Sequence, residues 1–311
     1  MTRHFLSPTQ PKHSKPNKSI FCLLVGMILM LSIAAPALAF DTTMNDELLQ
    51  LVNGKHLLDA AYQPSDLKEI ATLEPSKKTS IQLRKPAAEA YVKMIDKYKE
   101  SNTQTIYSVS GFRTYAYQRR LFSTKVAGRQ QAGQSYSDAY RETLLYTALP
   151  GTSEHQTGLV LDLSTDGSLT DNFRNTTQGK WLLTNCWDYG FILRYDQSKT
   201  NLTAIAYEPW HYRYVGLPHS LIIRDHGWVL EEYINYLQTN GSITYANPEQ
   251  PMQIYEIYWT NDPTQEFKNV VSVSSDNAGG YIVTTCSSHI DKLLTAWAEE
   301  AVKFTFLYTG I

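Results

Sequence analysis

The run Gly158-Leu159-Val160-Leu161-Asp162-Leu163 constrains the fold more than any other part of the chain. Its alternation is that of a strand, with Val160 and Asp162 on one face and Leu159, Leu161 and Leu163 on the other. A carboxylate on a buried strand cannot be left alone, because an unpaired charge in an apolar setting is too costly to keep. The chain must therefore bring cations, hydrogen-bond donors or a metal ion to Asp162.

Two histidines stand in unusual company. His155 lies in Gly151-Thr-Ser-Glu-His-Gln-Thr-Gly158, seven residues ahead of Asp162, and His211 closes Glu208-Pro209-Trp210-His211. Two imidazoles and one carboxylate make the three-ligand set of a catalytic zinc site whose fourth position stays open. Such an ion would be the partner Asp162 needs. Glu208, three residues before His211, can sit beside a metal without binding it and accept a proton from water as general base. Pro209 excludes the helical His-Glu-x-x-His arrangement here. Each residue also has a plainer reading: Asp162 as a turn or salt-bridge residue, Glu208 as the ion partner of Arg213, and His56, His219, His226 and His289 as hydrogen-bonded packing residues. The joint pattern favours chemistry.

The 311 residues carry a formal charge of −2, too small for a nucleic-acid partner to be expected. Four of the 28 Lys and Arg (Arg3, Lys12, Lys15 and Lys18) precede residue 40, where there is no Asp or Glu, so residues 40–311 hold 24 basic against 30 acidic side chains, a net of −6. The leader is a different physical object. Its basic start, the apolar run Ile20 to Ala35, Pro36 and Ala37-Leu38-Ala39 have the layout of a secretory signal cleaved after Ala39. Retained, the same run would act as a membrane anchor. Either way an exported protein is expected, at the outer face of the membrane or in the wall. Beyond the leader only Cys186 and Cys286 remain, which could pair once or stay as buried thiols.

The spacing predicts an α+β fold, a small antiparallel sheet with helices. Helices are expected from Lys85 to Glu100, with Ala88, Tyr91, Val92, Ile95 and Tyr98 inward, from Tyr115 to Ala127, from Asp138 to Thr147, from Gly179 to Tyr189 and from Glu231 to Leu237. Strands are expected at Thr105–Ser110, Gly158–Leu163 and Gly190–Tyr195. Thr239 to Ser242 and Asn247-Pro248 are taken as a linker. It leads to a small α+β appendage with strands at Ile254–Trp259, Val270–Val273 and Tyr281–Thr285, then a helix through Leu293 and Val302. The expected organisation is 1–39 leader, 40–238 catalytic domain and 239–311 accessory region.

Four segments together carry a resemblance: Ser110-Gly-Phe-Arg-Thr-Tyr-Ala-Tyr-Gln118, Ser153-Glu-His-Gln-Thr-Gly-Leu-Val-Leu-Asp162, Gly190-Phe-Ile-Leu-Arg-Tyr195 and Glu208-Pro-Trp-His-Tyr-Arg-Tyr-Val-Gly216. In order, they resemble the motifs of the VanY-type D-alanyl-D-alanine carboxypeptidases, zinc peptidases that trim peptidoglycan stem peptides and in some bacteria contribute to vancomycin resistance. The likeness runs from about residue 48 to 237 and leaves the tail uncovered. It implies one Zn2+ held by His155, Asp162 and His211, with Glu208 as the catalytic base. It also implies that Arg113 faces the scissile carbonyl, and that Gln118 and Ser153 lie around the substrate's terminal residue and carboxylate, although a solvent-facing helix residue and a loop cap are their plain alternatives. Arg194 is read as a structural ion pair. The implied substrate is a peptidoglycan stem peptide, or its precursor, ending in D-Ala.

Three rivals remain. Similar sequences include L,D-carboxypeptidases acting on tetrapeptide stems. A serine-type enzyme is suggested by Ser65-Asp-Leu-Lys68 and Ser275-Asp-Asn277, yet no Lys-Thr-Gly follows, and Ser65 reads more simply as a helix cap after Pro64. The third is a non-catalytic wall-binding module using the 21 tyrosines as a stacking surface. The intact metal-and-base set argues against it.

Overall fold

The computed structural model describes residues 38–41, 44–70, 81–248, 250 and 252–288, and residues 38 to 289 cluster as one compact unit. The leader, most of which lies before residue 38, and the helix expected through Leu293 and Val302 fall outside the described residues, as does His289. Among the described residues no helix is long and apolar enough to cross a membrane.

The strands in chain order are β1 (Leu38–Ala39), β2 (Leu67–Ile70), β3 (Ile81–Arg84), β4 (Tyr107–Ser110), β5 (Val160–Ser164), β6 (Phe191–Leu193), β7 (His211–Tyr214), β8 (Ser242–Ala246), β9 (Gln253–Thr260), β10 (Glu266–Phe267), β11 (Val270–Ser275) and β12 (Tyr281–Ser288). The central antiparallel sheet has the order β4-β5-β7-β6. Its register sets Asp162 directly opposite His211 on β7 and Ser110 on β4. Cross-strand partners project to the same face, so the sheet itself brings Asp162 and His211 together.

The opposite face is the core. Leu159, Leu161 and Leu163 pack with Tyr91, Met94 and Tyr98 of α1 (Lys85–Lys99), which starts at Pro86 as expected. Val92 departs from the expectation: it is half exposed, and Met94 fills the inward position instead. The helices α2 (Tyr115–Gln131) and α3 (Tyr136–Leu144) begin at Thr114 and Ser135, whose side chains cap Tyr117 N and Asp138 N. The second starts and ends earlier than its periodicity suggests. The helix α4 (Thr177–Asn185) passes into a 3₁₀ turn at Cys186–Tyr189, the single turn α5 spans Thr200–Thr203, and α6 (His219–His226) and α7 (Leu230–Asn240) follow β7.

Two local expectations are overturned. Ser65 caps no helix, because the chain after Pro64 enters β2 and pairs with β3. The expected linker after Asn240 is strand β8, paired along β9 in the sheet β11-β12-β9-β8. The turn residues Asn240-Gly241 and Asn247-Pro248 on either side masked it, although Ile243 and Tyr245 alternate with more exposed residues as in a strand. The tail sheet shares its apolar core with the region before it: Tyr245, Ile257 and Ile282 cluster with Leu221, Leu230, Tyr233 and Leu237, and with Leu49 and Leu51 of the entry segment. His219, buried between them, bonds Tyr233 Oη at 2.8 Å and Thr284 Oγ1 at 3.2 Å. Cys186 and Cys286 are both free.

Candidate active site

Two glycines fix the turn that presents His155. Gly158 ends the 3₁₀ turn Glu154–Thr157 at φ +69, which directs the chain into β5, and a side chain there would press on Leu67 and Arg84. Gly111 lies too close to Gln82 O and Ile81 for any Cβ, with 2.6 Å to each. This close approach leaves the Gly111 carbonyl to accept a 2.7 Å bond from His155 Nδ1, while Arg113 N donates to His155 O at 3.0 Å. A carbonyl can only accept, so Nδ1 carries the hydrogen and Nε2 keeps its lone pair.

That lone pair faces Asp162. His155 Nε2 is 3.3 Å from Asp162 Oδ2, and His211 Nδ1 is 3.1 Å from Asp162 Oδ1. The three donor atoms lie within 4.8 Å of one another, and all three residues are buried. Asp162 Oδ1 nevertheless has no hydrogen bond. Two imidazole nitrogens and a carboxylate oxygen converging around an unsatisfied buried atom fit a divalent metal of the zinc type. Burial opposes ionisation of Asp162, but the two imidazoles outweigh it and hold the carboxyl well below its usual range. His155 is lowered to about 4 by burial and then by Arg113, whereas the carboxylates around His211 overcome burial and raise it to about 9.

Glu208 occupies the turn before β7, where its N–H donates to Tyr195 O and its carbonyl accepts from His211 N. Its Oε2 is 3.4 Å from His211 Nδ1 and it is only 7% exposed. Burial lifts its carboxyl to about 7, against the pull of His211, Arg113 and Lys125. A carboxyl in that range suits proton transfer near neutral pH. Glu208 does not pair with Arg213.

Arg113 closes the other side, with Nη2 3.4 Å from Asp162 Oδ2 and Nη1 donating to Gln118 Oε1 at 3.0 Å. Gln118 is buried, not solvent-facing, and its Nε2 donates to Ala148 O at 2.7 Å. It thereby holds the guanidinium in place. Ser153 is buried in the cleft wall and makes no side-chain cap, so the loop-cap alternative fails. All seven expected residues line one cleft of about 270 Å³.

Sequence reasoning assigned no role to Glu154. It is fully buried, its Oε1 accepts from both Arg194 Nε and Arg213 Nη1 at 2.8 Å, and its Oε2 faces His211 Nε2 at 3.8 Å. Arg194 also forks onto Glu231 at 2.6 and 2.8 Å, which bears out its reading as a structural ion pair. The signal was available: Glu154 adjoins His155 in a turn that leads directly into the apolar strand β5, where an unpaired acid cannot stay. Lys125 and Tyr195, whose ring lies 4.7 Å from that of His211, were also missed. The serine-type fragments serve other ends. Asp276 of Ser275-Asp-Asn277 accepts from Trp259 Nε1 and Gln238 Nε2 as a structural turn.

Residues 80–217 match the sequence model of the family VanY, D-alanyl-D-alanine carboxypeptidase. Among curated relatives, a carboxypeptidase of Bacillus subtilis (strain 168), YodJ, described as putative, is 38% identical over 200 residues, 62% of this chain and 69% of the relative. Among solved structures, the LdcB LD-carboxypeptidase is 36% identical with a TM-score of 0.53, covering 60% of this chain and 84% of that one. A mutant of the vancomycin resistance D,D-pentapeptidase VanY from a VanB-type cassette, in complex with Zn(II), is 31% identical with a TM-score of 0.53, covering 61% and 100%.

Proposed function

The chain belongs to the VanY D-alanyl-D-alanine carboxypeptidase family, and from that premise we propose that it is a zinc-dependent carboxypeptidase that removes the terminal D-Ala from peptidoglycan stem peptides. One observation carries the reading: Asp162, His155 and His211 converge around an unsatisfied carboxylate oxygen with Glu208 alongside.

His155 Nε2, Asp162 and His211 Nδ1 would hold the ion, which supplies Lewis acidity toward the scissile carbonyl and toward water. Glu208 accepts a proton from the attacking water as its oxygen adds to the carbonyl carbon of the penultimate residue. The Arg113 guanidinium offers a fixed positive fork to the oxyanion, a charge that is full only at the transition state. Glu208 then returns its proton to the departing amine, the C–N bond breaks, and D-alanine leaves as the free amino acid. Gln118 keeps Arg113 aimed through this cycle.

The catalytic work is placed within residues 40–238, with 239–311 as an accessory region. The leader is proposed to export the protein, and to keep it at the membrane if it is not cleaved. Loss of D-Ala-D-Ala ends from wall precursors would lower glycopeptide binding in the producing cell.

The likeness to LdcB favours a second reading, cleavage of tetrapeptide stems. Digesting defined penta- and tetrapeptide muropeptides and weighing the products separates the two. We expect loss of one alanine from the pentapeptide only. Trimming of the tetrapeptide alone would reassign the bond, and trimming of neither would overturn the peptidase reading.

A further inference from the structure

One cation facing the catalytic cleft has no role in the mechanism above. Lys125 stands seven residues after Gln118 on α2, two helical turns along the same side, and shares the cleft wall with it. It is exposed at the rim, but its Nζ donates to Oγ1 of the buried Thr147 at 2.9 Å. Among the described residues that neutral hydroxyl is its only hydrogen-bond partner. Arg113, by contrast, already faces Asp162 and holds Gln118. The two cations repel each other across the cleft, and burial together with the Arg113 charge lowers the Lys125 pKa. Free protein thus keeps a positive charge there whose hydrogen-bond partner is a neutral hydroxyl, a state that an anionic ligand in direct contact would relieve.

The reaction provides such an anion. A carboxypeptidase must recognise the free α-carboxylate of the residue it removes, which is one Cα from the departing nitrogen and so only a few ångströms from the reacting groups. Lys125 is close enough to interact electrostatically with Glu208, Asp162 and Arg113. Among the described residues no other Lys lines this cleft. We propose that Lys125, steadied by the Thr147 hydroxyl, binds the substrate's terminal carboxylate and so restricts the enzyme to the end of the peptide. The assignment rests on the carboxypeptidase reading.

The test is steady-state kinetics on a D-Ala-D-Ala-ended stem peptide and on the same peptide with a C-terminal carboxamide, using the parent, Lys125→Met and Lys125→Arg. Met keeps the apolar stem and removes only the charge. A charged hydrogen bond of this kind is worth about ten- to hundred-fold. The parent should prefer the free acid. Lys125→Met should lower kcat/KM for the free acid by that factor, chiefly through KM, and leave the amide unchanged, and Lys125→Arg should restore most of the preference. An equal loss on both substrates, or no loss on the free acid, would overturn the role of Lys125. A parent that cleaves neither peptide would instead overturn the D-Ala-D-Ala carboxypeptidase reading and this assignment with it.

Discussion

Two clusters of buried charge meet at His211, and they are built differently. On its Nε2 side, Glu154, Arg194, Arg213 and Glu231 are joined by contacts of 2.6 to 2.8 Å. On its Nδ1 side, Asp162, Glu208 and Arg113 stand 3.1 to 3.4 Å from their nearest charged neighbours, and Asp162 Oδ1 and Arg113 Nε have no hydrogen bond. Residue types and burial are alike in the two clusters. Glu154 Oε2 and His211 Nε2 also lack a hydrogen bond. What distinguishes the clusters is therefore the closeness of their charge pairs: short ion pairs lock the first into the fold, and the wider spacing of the second leaves room for a ligand.

The sharpest way to break this comparison is to remove a ligand. His211→Ala should abolish activity and lose the metal, so stoichiometric zinc in the purified variant would refute the ligand role. Glu208→Gln and Glu208→Ala should keep zinc while turnover falls by about 10²- to 10⁴-fold, the usual worth of a general base. Full activity in either variant would sink that assignment.

Glu154→Gln probes the other side. Removing one partner from a buried ion pair costs about 3–5 kcal/mol, because two guanidinium groups are left competing for one neutral amide. Loss of the carboxylate behind a ligand histidine should also weaken metal binding by about 10- to 100-fold. Denaturant unfolding and chelator competition measure the two effects. Metal-free Glu208→Gln should by contrast be at least as stable as the parent at pH 8. Burial raises the Glu208 carboxyl to about 7, so ionising it there costs stability that a neutral amide does not lose. Equal destabilisation by the two substitutions would erase the distinction between the clusters.

At neutral pH the smallest effect concerns His219, buried between α6, α7 and the tail sheet. Burial lowers its folded pKa to about 3, below the ordinary 6.5. Between those values the unfolded chain binds a proton that the folded one refuses. Its contribution to stability is therefore full above about pH 6.5 and declines as the pH falls toward 3, by up to about 1.4 kcal/mol per pH unit. Replacing His219 with Gln should flatten the melting temperature against pH over that window. An unchanged slope would remove His219 from the account.

The proposed metal ligands and base were legible in the sequence because each sits in a short local pattern: an acid inside a leucine strand, a histidine between turn glycines, an acid three residues before a histidine. Arg113, Gln118 and Ser153 came only from the family resemblance. The helices and strands expected around them were legible to within about a turn, but β7, which carries His211, and α6 after it were not expected. What escaped depends on partners far along the chain. Glu154 acquires its meaning from Arg194 and Arg213, 40 and 59 residues away. Strand β2 exists through its pairing with β3, whereas β8 was masked by the turn residues beside it. Lys125 looks like any helix surface lysine until Thr147 and the cleft are placed beside it. The tail, expected as an appendage, contributes Tyr245, Ile257 and Ile282 to a core shared with α6 and α7, which no local pattern could reveal.

The central claim is that the open cluster at His211 is a zinc site doing peptide hydrolysis. Stripping the purified full-length protein with a chelator and titrating zinc back, while following D-alanine release from a D-Ala-D-Ala-ended stem peptide, tests it most directly. Activity should vanish on stripping, return in proportion to added zinc, level off at one ion per chain and ignore penicillin. Release that survives complete removal of metal, or that penicillin blocks, would contradict the account.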